Sequence, residues 1–169
     1  MTVAFLSLSS NIEPEKNMLA AVKLLSQHVK ILKASTVYLT EPLRRKSQPA
    51  YYNCIIKIET DIQPRKLKFD VFRVIEKELR RKRTEDKYAS RTIDIDIILY
   101  GNLVVSTKEL TLPDPDIWRR AFLAIPLAAI EPDLVLPVGN KPIIEIADRF
   151  KRPKITELKS FTETLQGLV

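Results

Sequence analysis

Cysteine, histidine and glycine are scarce in this 169-residue chain, with one, one and three copies respectively. Cys54 has no partner for an intrachain disulfide and cannot build a cysteine-rich zinc site. His28 alone cannot form a histidine metal cluster, and it reads as a surface residue at a helix end. Chemistry therefore falls to carboxylates, arginines, lysines, hydroxyls and bound metal. Three glycines leave no Gly-rich phosphate loop of the Walker or Rossmann kind. No apolar run approaches the roughly 20 residues that cross a bilayer, so no membrane partner is expected. The opening Met1-Thr2-Val3-Ala4-Phe5 lacks the basic start and long apolar segment of a secretory signal. A cytoplasmic setting is the expectation.

Hydrophobic content of 45% and charged content of 29% are those of an ordinary globular chain. The length suits a single domain over residues 1–169, with residues 151–169 a polar tail or linker, or else a docked helix. The net charge of +7 favours acidic partners such as nucleotides.

The hydrophobic period alternates between 2 and 3.6 along the first hundred residues. A short buried strand over 3–8 leads through Ser9-Ser10-Asn11 to a helix opened by Pro14, with Met18, Val22 and Leu25 on one stripe. Residues 31–40 read as one long strand, residues 41–49 as a basic, proline-bracketed loop, and residues 51–60 as a second long strand. Pro64 opens a helix with Leu67, Val71, Ile75 and Leu79 on its buried stripe, running into Arg80-Arg81-Lys82-Arg83. A polar loop containing Tyr88 precedes a strand over 92–100, and Gly101-Asn102 predicts a hairpin into a strand over 103–105. The order β-α-β-β-α-β predicts an α+β fold with a ferredoxin-like core, an antiparallel sheet with helices on one face and the other face free for ligand. From Leu112 the chain is punctuated by prolines and reads as a C-terminal helical extension.

The strand over 92–100 carries the chemistry. Alternation places Ile93, Ile95, Ile97 and Leu99 on a dry face, and Thr92, Asp94, Asp96, Ile98 and Tyr100 on the other. Two carboxylates side by side on a strand repel one another unless a cation sits between them. A divalent metal with oxygen ligands is the expected answer, the alternative being a solvated acidic face. The basic run at 80–83 alone is a helix C-terminus complementing its dipole. Arg91, three residues before Asp94, adds a guanidinium suited to phosphate. Tyr51, Tyr88 and Phe122 are candidates for an aromatic slot. Asn53, an amide inside a strand, has donors and an acceptor to satisfy and can read a heterocycle edge.

With these residues placed, the chain resembles the 6-hydroxymethyl-7,8-dihydropterin pyrophosphokinase family. The resemblance covers about residues 2–150. It is strongest at Arg91-Thr92-Ile93-Asp94-Ile95-Asp96-Ile97, and is supported by Ser10-Asn11, Pro42-Leu43, Tyr51-x-Asn53, Glu76, Arg81, Arg83 and Arg120-x-Phe122. It implies transfer of pyrophosphate from ATP to the hydroxymethyl group of the pterin, with AMP released, in folate biosynthesis. It implies two Mg²⁺ ions on Asp94 and Asp96, and ATP held by Glu76, Arg81, Arg83, Arg91, Arg120 and the backbone near Ile97 and Ile98. Catalytic roles fall to Arg81, Arg91 and Asp96. The pterin is expected between Tyr51 and Phe122, read by Asn53 with Thr40 and Leu43, under Tyr88. The loops at 41–49 and 82–91 are expected to close on ATP. Partners are then small molecules and not nucleic acid, with fusion to or association with a neighbouring folate-pathway enzyme left open. Three positions depart from the family pattern. Ser9 replaces a glycine, Asp114 replaces a histidine that faces the phosphates, and Glu109 stands where a basic residue is common. Two other readings compete. One is a ferredoxin-like module holding single-stranded RNA on its sheet, which the two central aspartates disfavour. The other is an inactive relative, for which Asp114 is the support.

Overall fold

The computed structural model describes residues 1–44 and 47–169, so the part of the predicted basic loop at Arg45 and Lys46 lies outside the described residues. In chain order the elements are β1 (Thr2–Ser10), α1 (Pro14–Leu25), β2 (Lys30–Ala34), β3 (Tyr38–Thr40) and β4 (Tyr51–Thr60). One continuous helix follows: α2 (Pro64–Lys66), a π-helical stretch (Leu67–Phe72) and α3 (Arg73–Glu78). Then come β5 (Asp94–Tyr100), β6 (Val105–Ser106), β7 (Thr111–Leu112), a 3-10 turn (Pro115–Trp118), α4 (Ala121–Ile130), α5 (Ile143–Ala147), β8 (Ile155–Glu157) and α6 (Lys159–Gln166).

The main sheet is antiparallel, ordered β5-β1-β4-β3-β8, with β2 also on β4. Its first hundred residues follow the ferredoxin-like order, as the alternating periods predict. Period 2 puts Ala4, Leu6 and Leu8 of β1 and Cys54, Ile56 and Ile58 of β4 on one face. The stripe of α1 (Met18, Val22, Leu25) and that of the second helix (Leu67, Val71, Phe72, Ile75) close over them as one buried core. Truncating one such side chain costs about 2–5 kcal/mol.

Four expectations about single elements are corrected. The strand predicted over 31–40 is broken at 35–37, because the backbone there changes partners. The Ser35 hydroxyl accepts the Ile55 amide at 2.8 Å, and the Thr162 hydroxyl accepts the Val37 amide at 2.9 Å. The second helix does not run into Arg80. It ends in a Schellman motif, in which the Arg81 amide donates to the Glu76 carbonyl at 2.9 Å and the Arg80 amide to the Lys77 carbonyl at 3.0 Å, with Arg80 left-handed at φ 62°. The alternation of β5 fails after Ile97, where a bulge against Phe5 and Leu6 inserts one extra residue. Ile98 and Leu99 both face the second layer and Tyr100 returns to the helix side. The turn at Gly101-Asn102 forms, but the strand after it pairs with β7 in a separate two-stranded ribbon.

The sheet face opposite the helices is not free along its length. Phe5, Ile55, Ile98 and Leu99 carry a second core, capped by Ile117 of the 3-10 turn, Leu123 and Leu127 of α4 and Ile143 and Ile146 of α5. The end of that face nearest Asp94, Ser9 and Asn53 opens into a cleft. Residues 151–169 supply β8 on the sheet edge and α6, whose Phe161 and Leu165 join the first core.

Candidate active site

Strand register assembles the open end of the sheet row by row. Asp94 of β5 stands beside Ser9 of β1, Ser9 beside Asn53 of β4, and Asn53 beside Tyr38 of β3. One step along, Asp96 stands beside Ser7 and Ser7 beside Ile55. The two serines are small and leave a floor for a cleft of about 260 Å³, walled by Asp94 and Asp96 at one end and Thr40, Leu43, Tyr51, Asn53, Tyr88 and Phe122 at the other. A second pocket of about 210 Å³ adjoins it, sharing Asp96 and Asp114 and including Ile97.

The acidic pair is held asymmetrically. Asp94 accepts from Arg81 at 2.6 Å through one oxygen and from Arg91 at 2.8 Å through the other. Behind them lies Glu76, only 2% exposed. Its Oε2 accepts from Arg81 at 2.9 Å and Arg83 at 2.6 Å, and its Oε1 accepts the Ile95 amide of the edge strand at 3.2 Å. The Schellman turn makes this geometry, because it folds Arg81 back over the last turn of its own helix. Burial works against the Arg81 charge, but Asp94 and Glu76 outweigh it and hold the guanidinium above its usual range. Asp96 opens to the cleft, ringed by protein and by other carboxylates. Desolvation first, then Asp94, Glu76 and Asp114, push its pKa up to about 7, with Arg81 opposing.

Two loops meet over the cleft. Asn11, 2% exposed, ties their bases together. Its amide donates to the Pro49 carbonyl at 3.2 Å and the Ser90 hydroxyl at 3.3 Å, and its oxygen accepts the Arg91 amide at 2.8 Å. Farther out, Gln48 donates to the Tyr88 carbonyl at 2.6 Å, and Arg44 stacks over the Tyr88 ring at 5.1 Å.

The structure gathers Thr40, Leu43, Tyr51, Asn53, Tyr88, Arg91, Asp94, Asp96, Asp114 and Phe122 at one cleft. The Asn53 amide donates to the Thr40 hydroxyl at 2.7 Å, leaving its oxygen for another donor. Other expected residues stand elsewhere. Glu76 lies behind the arginines and fixes them, because its carboxylate is already shared between two guanidiniums and a strand amide. Arg83, whose side chain is 50% exposed, points to Glu76. Arg120 occupies the N-cap position of α4, with no side-chain capping bond, and lines a neighbouring groove beyond Phe122. Ile98 is buried in the second core, and its carbonyl accepts the Asp114 amide at 2.9 Å, so the bulge removes it from the cleft wall. Asp114 caps the 3-10 turn, accepting the Asp116 amide at 2.9 Å. Burial raises its pKa; the Asp116 amide hydrogen bond opposes this and the Asp116 carboxylate adds to it. Ser7 was missed, although Phe5, Ser7 and Ser9 alternate with Ala4, Leu6 and Leu8 and mark a face that turns polar toward the loop.

Fold and cleft together define a class: a ferredoxin-like α+β protein joining a carboxylate pair and guanidiniums to an aromatic, amide-reading slot. That is equipment for phosphoryl transfer to a flat heterocyclic acceptor. Residues 5–132 match the model of the family described as 7,8-dihydro-6-hydroxymethylpterin-pyrophosphokinase, and the chain belongs to that family. A Haemophilus influenzae protein named 2-amino-4-hydroxy-6-hydroxymethyldihydropteridine pyrophosphokinase is 37% identical over 161 residues, covering 94% of this chain and 99% of that one. The Pneumocystis carinii folic acid synthesis protein fol1 is 37% identical over 150 residues, which cover 88% of this chain and 20% of that longer protein. Among solved structures, a Plasmodium falciparum HPPK-DHPS matches 88% of this chain and 43% of its own at a TM-score of 0.67 and 14% identity, a likeness of fold. No helix among the described residues is long and apolar enough to cross a membrane.

Proposed function

We propose that this chain transfers pyrophosphate from ATP to the hydroxymethyl oxygen of 6-hydroxymethyl-7,8-dihydropterin, releasing AMP, in folate biosynthesis. The observation that carries the reading is one cleft holding Asp94, Asp96, Arg91 and the slot of Tyr51, Asn53 and Phe122, with Arg81 bonded to Asp94 from beside it. The pterin ring stacks between Tyr51 and Phe122. Its amide edge meets the Asn53 oxygen, the Thr40 hydroxyl and backbone near Leu43. Ring stacking and edge reading leave the hydroxymethyl arm aimed at the acidic end.

In the transfer, the alcohol oxygen bonds to the β-phosphorus of ATP, the bond from that phosphorus to the oxygen bridging toward the α-phosphorus breaks, and AMP leaves with that oxygen. The alcohol proton is released. Such a step needs alignment and charge neutralisation more than a strong base. Arg81 and Arg91 neutralise the phosphates by turning from Asp94 to the incoming anion, and Glu76 keeps Arg81 in reach during that exchange. The loops tied by Asn11 and Gln48 exclude water from the reacting phosphoryl group.

The donor set fits a divalent cation. Asp94 and Asp96 are hard oxygen ligands two residues apart on one strand face, and Asp96 sits in a cluster of negative charge that a cation relieves. Among the described residues no third carboxylate, histidine or cysteine joins them as a protein cluster, so the remaining ligands come from the nucleotide phosphates and water. Bound there, two Mg²⁺ ions supply charge stabilisation of the transferring group. The test follows AMP release with ATP, Mg²⁺ and the pterin. Pterin-dependent AMP is expected, with Asp94→Ala and Asp96→Ala folded but slowed by at least about a hundredfold. Absence of pterin-dependent AMP at high enzyme concentration refutes the reading.

A further inference from the structure

The second pocket, beyond Asp96, carries more acidic than basic groups on its wall. Asp96, Asp114 and Glu109 line it, and Lys68 is the one cation among the described residues that does. The arginines do not help there, since Arg81 and Arg91 are engaged at Asp94 on the far side of Asp96. If the pyrophosphoryl end of ATP lies over Asp94 and Asp96, the nucleoside end enters this pocket, and a phosphate passing its mouth meets three carboxylates.

Lys68 is unusually well placed to answer them. It belongs to the π-helical stretch Leu67–Phe72, which buries both Leu67 and Phe72, five positions apart, as a widened turn requires. Such stretches recur at functional sites because they displace side chains from α-helical register. The Lys68 ammonium donates to the Glu109 backbone carbonyl and stands 5.5 Å from the centre of the Phe69 ring. The Glu109 carboxylate is drawn off by Arg65, whose Nε lies 2.9 Å away. That ion pair is exposed, with side chains 71% and 47% accessible, and exposed pairs contribute little. Lys68 is held by the Glu109 backbone carbonyl, and the 107–110 turn between β6 and β7 is the support of that carbonyl.

We infer that Lys68, held by the Glu109 carbonyl, is the nucleotide-binding cation of this second pocket and meets the ribose–phosphate end of ATP. The inference rests on the function proposed above and adds a residue to its specificity. It also accounts for Glu109: the positive charge at this pocket arrives from the helix, and Glu109 presents a carbonyl to it.

The test is calorimetric titration with Mg²⁺ and α,β-methylene ATP, whose bridging carbon resists the transfer. Lys68→Met is expected to weaken binding roughly tenfold, the order of one charge-assisted hydrogen bond. The KM for ATP should rise in parallel, with kcat within about threefold, and Lys68→Arg should recover most of the affinity. Lys66→Met removes the same charge from the same helix outside the pocket, and should leave binding within about twofold. Wild-type binding with Lys68→Met unchanged, or an equal loss in Lys66→Met, overturns the inference and leaves the functional reading standing. Failure of the wild-type chain to bind the analogue overturns the functional reading and this inference with it.

Discussion

Replacing Glu76 with glutamine should cost more stability than its distance from the reacting atoms implies. The carboxylate is 3% exposed at its side chain and serves three donors. Arg81, 9% exposed, is paired on both sides, and Glu76→Gln removes one of its two anions. Breaking a buried pair from one side costs about 3–5 kcal/mol when the remaining charge is left alone. Here Asp94 still answers Arg81, so the cost falls to about 2 kcal/mol. Arg83 is half exposed and adds only a few tenths. The glutamine oxygen can still accept the Ile95 amide, so that bond is kept. The total is about 2–3 kcal/mol, which for a domain of this size lowers Tm by roughly 4–12 °C. Urea unfolding at neutral pH reads it directly. A second readout separates structure from function. Saturating ATP with Mg²⁺ gives the freed guanidiniums new anions, so ligand should stabilise Glu76→Gln more than it stabilises the wild type. A stability loss under about 0.5 kcal/mol, or no extra stabilisation by nucleotide, would refute the positioning role.

Two further outcomes follow from the same geometry. The folded-state pKa of Asp96 lies near 7, above its usual 3.8, so the contribution of its neutral form to stability is fully present below about pH 3.8 and is lost as pH rises through 7. Asp96→Asn should therefore stabilise the metal-free protein at pH 8 by about 1–2 kcal/mol, discounted for the carboxyl's access to water, with the gain shrinking toward pH 4. Equal denaturant midpoints for the two proteins at pH 8 would contradict the assignment. Arg80 ends its helix at φ 62°, a conformation costing a side-chain-bearing residue about 1 kcal/mol, so Arg80→Gly should raise Tm by about 2–4 °C, and a fall in Tm would count against the Schellman geometry.

The ferredoxin-like order was legible because each early element has a clean period. The Met18 stripe, the Leu67 stripe and the alternation of β4 all bury as their spacing requires. The cleft was legible where chemistry sits on a strand, since Asp94, Asp96 and Asn53 are polar positions opposite dry rows. What the sequence hid depends on contacts far along the chain. The β2–β3 break is stabilised by Thr162, 125 positions from Val37. The bulge at Ile98 reflects the pairing of β5 with β1, which no local pattern encodes. Glu76 looks like any acidic helix residue until the Schellman turn brings Arg81 back over it. The second apolar layer was invisible in pattern because α4 is hydrophobic on nearly every side, so its period does not mark the buried face.

The central claim is that the arm of the pterin attacks the middle phosphorus of ATP. Phosphorus NMR of a reaction containing the protein, ATP, Mg²⁺ and 6-hydroxymethyl-7,8-dihydropterin tests it in one spectrum. The account predicts the signal of AMP together with two mutually coupled resonances of a new diphosphate ester. ADP with a single uncoupled phosphate-ester resonance would mean attack at the terminal phosphorus, and would contradict it.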